Sequence, residues 1–262
     1  MPADGQAEAL ALLATGELTV EGRVLTASNL TLYARVEGEA GTMPCVYKPV
    51  SGERPLWDFP DGTLAGREAA AYAVSRAGGW DLVPPTVLRD GPLGPGMCQQ
   101  WVATSDTEPP VALHPGTAAG PGWVEVVTGE DGRGREVVLA HRDEPALRAM
   151  AVLDAVLNNA DRKGGHVLRR DDGSIVGVDH GLCFHAEPKL RTVLWGWRGE
   201  PLTAQEREVL TGLAVAWPTL GLHDWLTPRE VQAGLARVRG LLADGTLPLP
   251  GQGWPSLPWP AF

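Results

Sequence analysis

The densest run of polar side chains is Asn158-Asn159-Ala160-Asp161-Arg162-Lys163-Gly164-Gly165-His166, and Val178-Asp179-His180-Gly181 follows closely. Between the two, His166–Arg170 and Ser174–Val178 flank Asp171-Asp172-Gly173, a strong β-hairpin signal. A hairpin brings its ends together, so Asp161, His166 and Asp179 are expected to face one another across a small space. Two carboxylates and an imidazole gathered there repel or desolvate one another unless a cation or a proton-transfer task offsets the cost. Taken singly, each has a plainer reading: Asp161 and Arg162 as a surface loop pair, Asp179 as a turn cap. His180, Cys183 and His185 could suggest a transition-metal site. The preferred reading puts His180 in the turn and Cys183 with Phe184 in the core.

A second pair lies upstream. Lys48 is near the end of a strand, Pro44–Val50, and Glu68 falls at the start of a helix, Gly66–Ala77. A strand Lys directed by a helix Glu is one way for a sheet to hold an ammonium against phosphate oxygens. Alone the pair is weak, because a Lys before Pro is ordinarily a solvated strand end and helix N-termini favour Glu.

The surrounding pattern supplies elements to carry these residues. Ala7–Thr15 reads as a helix stopped by Gly16. Thr19–Thr26 and Thr31–Glu37 alternate like strands around the turn pair Ser28-Asn29, and Val83–Arg89 and Met97–Val102 give two further strands. Thr104–Pro121 is proline-rich with few large apolar residues and reads as a linker or surface loop. Beyond it, Glu144–Asn158, Thr203–Ala216 and Thr227–Ala243 are predicted helices, the last two opening on Thr caps. The predicted architecture is α+β: an antiparallel sheet with one helix, then a mainly helical half.

With Asp161-Arg162-x-x-x-His166 followed by Asp179-His180-Gly181, the chain resembles the phosphatidylinositol 3-/4-kinase-like superfamily. Within it, the likeness is to an actinobacterial group of small kinase-like proteins, and it spans roughly Leu18 to Phe184. The resemblance implies a two-lobed, protein-kinase-like fold, residues 1–103 forming the N-lobe and 104–262 the C-lobe. It implies an ATP-dependent phosphotransferase using Mg²⁺ or Mn²⁺. On that reading Lys48 contacts the ATP phosphates and Glu68 orients it. Asp161 is the catalytic acid, Arg162 braces its loop, and Asp179 binds the metal. Gln99–Val102, and so Gln100, Trp101 and Val102, form the hinge that meets adenine. Ser28 and Asn29 could touch phosphates, although a plain turn is the preferred reading.

The sequence departs from the family where an Asn is usual, five residues after the catalytic Asp. His166 stands there, and imidazole suits later divalent ions better than Mg²⁺. His166 is thus a candidate second metal ligand, and a nucleotide-binding pseudokinase and AMP transfer on the same fold stay open. A metal hydrolase built on Asp161, His166, Asp179 and His180 is a further alternative. Trp195 and Trp197 follow a basic segment, Lys189-Leu190-Arg191, where the family's substrate loop falls; core filling is the preferred role for them.

Composition bounds the partners. The 262 residues carry 22 Lys+Arg against 32 Asp+Glu, a formal charge of −10, which disfavours a broad nucleic-acid or anionic-membrane surface. Three scattered cysteines form no disulfide framework, no apolar run reaches membrane-span length, and no secretory signal pattern opens the chain. A cytoplasmic location and no stable membrane insertion are expected. The acceptor is an unidentified hydroxyl of a protein, peptide, lipid or small molecule.

Overall fold

The computed structural model describes residues 3–25, 27, 29–105, 107–252 and 255–262. Helix α1 (Ala3–Thr15) closes where Gly16 donates its N–H to the Leu12 carbonyl at 2.8 Å. Strands β1 (Glu17–Arg23), β2 (Leu32–Gly38) and β3 (Gly41–Pro49) follow, then α2 (Leu64–Ala77), β4 (Thr86–Gly91) and β5 (Gly94–Gln100). The strands form one antiparallel sheet in the order β1-β2-β3-β5-β4, with β3 at its centre. Period-two alternation along β3 buries Cys45 and Tyr47 against Leu12 and Leu13 of α1, in a small core. The same alternation sends Lys48 to the other face.

Helix α2 starts at Thr63, whose hydroxyl accepts from the Gly66 N–H at 3.0 Å. Although α2 is close in sequence to the small sheet, its buried Ala70, Ala71 and Val74 belong to the larger core. There they join Leu153 and Val156 of α3 (Pro145–Leu157), Leu210 of α4 (Ala204–Ala216) and Val238 of α5 (Pro228–Asp244). A buried ion pair, Arg67 Nη2 to Glu230 Oε1 at 2.5 Å, fastens α2 to the first turn of α5. The Thr203/Glu206 and Thr227/Glu230 capping boxes fix the starts of α4 and α5.

The linker reading of Thr104–Pro121 needs correction. Within it, Val111–Pro115 is a strand, β6, which pairs with β8 (Glu136–Arg142) beside β7 (Trp123–Glu130) in a three-stranded antiparallel sheet. Prolines are tolerated because β6 is an edge strand. Asp131 makes the β7–β8 turn, its Oδ1 accepting from the Arg133 and Arg135 amides at 2.8 and 3.0 Å. The short hairpin β9 (Val167–Arg169) and β10 (Ile175–Gly177) forms as the Asp171-Asp172-Gly173 turn predicts. Cys45, Cys98 and Cys183 are buried thiols, and no helix among the described residues is long and apolar enough to cross a membrane.

Candidate active site

Lys48 is the meeting point. Its Nζ lies 2.7 Å from Glu68 Oε1 and 2.9 Å from Asp179 Oδ1. Glu68 is buried, and its second oxygen accepts the His180 amide at 2.9 Å, so one carboxylate holds both the ammonium and the turn that carries Asp179. Asp179 itself has φ 61°, a left-handed conformation uncommon outside Gly, Asn and Asp, which aims its side chain back at Lys48. The Lys48 ammonium holds the half-exposed Asp179 carboxyl well below the usual carboxylate range. Burial works against the charge on Lys48, but Asp179 and Glu68 together overcome it and raise its pKa.

Asp161 sits in the loop after α3, where Asn158 ends the helix at φ 53°. The Asp161 amide donates to Asn159 Oδ1 at 3.0 Å, and Asn159 Nδ2 donates to Asp154 Oδ1 at 3.0 Å. Burial raises the Asp161 carboxyl above its ordinary range despite Lys163, whose Nζ is 3.3 Å from Oδ2, and the Asp179 charge adds to the rise. Residues 261–262 pack on this loop: Ala261 accepts the Gly164 amide at 2.8 Å, and a Cβ at 164 would strike the Phe262 ring.

Arg162 is wholly buried, so its own atoms are out of a substrate's reach. Its Nε and Nη2 bond Asp154 at 2.9–3.1 Å, Nη1 donates to the Val178 carbonyl at 3.0 Å, and Nη2 lies 2.7 Å from His180 Nε2. A Cβ at Gly177 would stand 3.0 Å from Nη1, so only glycine lets the guanidinium through without a shift. Arg162 is therefore a brace between the Asp161 loop and the strand leading to Asp179.

His166 completes the group. Its Nδ1 is 3.0 Å from the Asp161 carbonyl, and its Nε2 is 3.4 Å from Asp179 Oδ2. Burial pushes the His166 imidazole down to about 4, against the pull of Asp179. The native state thus favours neutral imidazole, while the unfolded chain takes up a proton near 6.5. Stability from this residue is full above that value and is lost as the pH falls toward 4; His180, also pushed down by burial, acts in the same direction. His166→Gln is expected to flatten the acid-side decline, read as urea midpoints at about pH 5 and about pH 7. An unchanged slope would mean that His166 titrates as in a peptide.

The other expected contact residues have partners of their own. Asn29 accepts the Arg54 amide on its Oδ1 at 3.0 Å, which ties its loop to the segment after β3. Ser28 lies outside the described residues. Gln100 and Trp101 give their amides to the Pro85 and Pro44 carbonyls at 2.9 and 3.0 Å, so those two donors are already engaged. Trp101 packs edge-on against Tyr33, and Val102 is buried. A cavity of about 680 Å³ elsewhere, lined by Ala69, Tyr72, Arg76 and Trp225 among others, includes none of the Lys48 group. Two residues at the site are not singled out by sequence, Lys163, two positions after Asp161, and Asp154, an acid on the apolar face of α3; His180 is there a turn residue or metal ligand, not the partner of Arg162.

No protein-family model matches the chain. It is 50% identical over 267 residues to Protein Rv2133c of Mycobacterium tuberculosis (strain ATCC 25618 / H37Rv), across 96% of this chain and 95% of that protein. It is 28% identical over 205 residues to Phosphatidylinositol 4-kinase gamma 4 of Arabidopsis thaliana, across 70% of this chain but 33% of that protein. Among solved structures, hydra Fam20 with sugar superposes with a TM-score of 0.59 at 14% identity, covering 93% of this chain and 89% of that one. The Golgi casein kinase with Mn/ADP bound gives a TM-score of 0.57 at 12% identity, covering 93% and 76%. The fold is kinase-like, as the resemblance implies, and its class is the two-lobed α+β one.

Proposed function

We propose, for a chain that belongs to the family of the mycobacterial Protein Rv2133c, that it is an ATP-dependent phosphotransferase moving the γ-phosphoryl group to a hydroxyl acceptor. The observation that carries this reading is the Lys48 ammonium held between Glu68 and Asp179, at 2.7 and 2.9 Å. Phosphoryl transfer asks a protein mainly for positioning and charge, and an ammonium fixed in direction by a buried carboxylate provides both. Residues 1–103 would form the nucleotide lobe and 104–262 the lobe that carries the catalytic loop. Adenine would be met by Gln99–Val102 through backbone atoms other than the engaged amides of Gln100 and Trp101.

The donors beside Lys48 fit a divalent cation. Neutral His166 gives its Nδ1–H to the Asp161 carbonyl, so its Nε2 lone pair faces Asp179 Oδ2 at 3.4 Å, acceptor against acceptor. Among the described residues no group of three or more His, Cys, Asp or Glu side chains is placed to enclose a metal. Asp179 and His166 would therefore hold Mg²⁺ or Mn²⁺ jointly with the nucleotide phosphates, as is usual for such ions. When bound, the cation neutralises charge on the phosphate oxygens. Lys48 would bind the same oxygens, and Asp161, whose raised pKa makes it a better proton acceptor, would orient the acceptor hydroxyl and take its proton. Lys163 would keep that carboxylate in place.

A binding-only role is favoured by two observations: Lys48 already covers an oxygen of Asp179, and His166 stands where the family usually has Asn. ATP labelled on either the α or the γ phosphate, with Mg²⁺ or Mn²⁺ and with water or the protein's own side chains as acceptor, separates the possibilities. The expected result is release or transfer of γ label by wild type and a fall of about a hundredfold or more in Asp161→Asn. Transfer of α label would indicate AMP transfer. A nucleotide-dependent rise in melting temperature without turnover would indicate the binding-only role.

A further inference from the structure

His180 is wholly buried in the middle of the turn after Asp179 and has no part in the transfer just described. Its ring stands between the two halves of the site. Nε2 lies 2.7 Å from Arg162 Nη2, and a guanidinium has only donors, so Nε2 is the acceptor and the ring proton sits on Nδ1. That Nδ1 has no hydrogen-bond partner and faces Glu68 Oε2 at 3.9 Å. The same Oε2 accepts the His180 amide at 2.9 Å. One residue is thus tied through its ring to the Arg162–Asp154 anchor beneath Asp161, and through its backbone to the carboxylate that directs Lys48.

We propose that His180 is a positioning residue that couples the Glu68–Lys48 pair to the Asp161 loop and keeps the two in register. An apolar ring of similar size would fill the space but leave one Arg162 N–H without its acceptor. The carbonyl of a glutamine reaches the place of Nε2, because both lie the same number of bonds from Cβ. The coupling itself is a property of the fold; only its effect on turnover rests on the phosphotransferase reading.

Amide hydrogen exchange of the 159–166 loop tests the coupling without any substrate. His180→Phe is expected to raise exchange at the Asp161 amide by about tenfold or more, and His180→Gln to leave it near wild type. Glu68→Gln should also raise it, yet add little in the His180→Phe background, because the path between them is already cut. Additive effects, or an unchanged loop in His180→Phe, would overturn the proposal. Should the Phe variant fail to fold, His180→Asn, too short to reach Arg162, takes its place. Where wild type turns over ATP, His180→Phe should lower kcat by about tenfold or more with KM for ATP little changed, and His180→Gln should restore it. Unchanged kcat in His180→Phe would also contradict the proposal. Absence of turnover in wild type would count against the phosphotransferase reading, while the exchange cycle still decides the coupling.

Discussion

Asp179→Asn is expected to abolish the rise in melting temperature that the phosphotransferase reading predicts for wild type with ATP and Mg²⁺ or Mn²⁺, and to cut the turnover it predicts by about a hundredfold or more. Asn is the sharpest substitution because it keeps the side-chain shape and tolerates the φ of 61° at this position. What it removes is charge. Lys48 retains Glu68 at 2.7 Å, so the ammonium stays paired and the fold should survive. A cation held there would lose the carboxylate that lies beside His166 Nε2. Thermal shifts of both proteins with ATP alone, metal alone and the two together measure this directly. An undiminished shift in the Asn variant would take Asp179 out of the metal–nucleotide site.

The second large effect is on stability. Asp154→Ala leaves the Arg162 guanidinium wholly buried and strips it of the carboxylate that receives its Nε and Nη2. Asn159 Nδ2 and Thr192 Oγ1 lose the same partner, at 3.0 and 3.2 Å. Removing one member of a buried pair typically costs about 3–5 kcal/mol, because the other charge stays uncompensated. Urea unfolding should show that loss as a lower midpoint at an unchanged slope. A loss below about 1 kcal/mol would mean that Arg162 finds water or another acceptor. Asp154→Asn, which keeps an acceptor oxygen, should fall between the two.

What could be read from the chain, and what could not, divides along sequence distance. Caps and turns are local, so Thr203, Thr227 and Asp171-Asp172-Gly173 announce their elements directly. Lys48 and Glu68 gain their weight from their order and Asp179 from the hairpin before it, and the structure brings all three together. The bond from the His180 amide to Glu68 was not legible, since it joins residues 112 positions apart through a main-chain atom that carries no side-chain signature. Asp154 looks like a flaw in an apolar helix face until its partner, Arg162, folds back onto it. The sheet of β6, β7 and β8 did leave a signal. Valine-rich runs flank Asp131-Gly132, which is hairpin chemistry, but the prolines around Val111 drew attention to loop character instead.

Helix α2 is rooted among α3, α4 and α5 by Ala70, Ala71, Val74 and the Arg67–Glu230 pair, whereas Lys48 rides on a sheet that rests on α1. Helix α2 also packs against β4 and β5, so it touches both the sheet that carries Lys48 and the core that holds α3, α4 and α5. A shift of β3 relative to α2 would part Lys48 from Glu68, whereas displacing Glu68 would disturb the larger core as well.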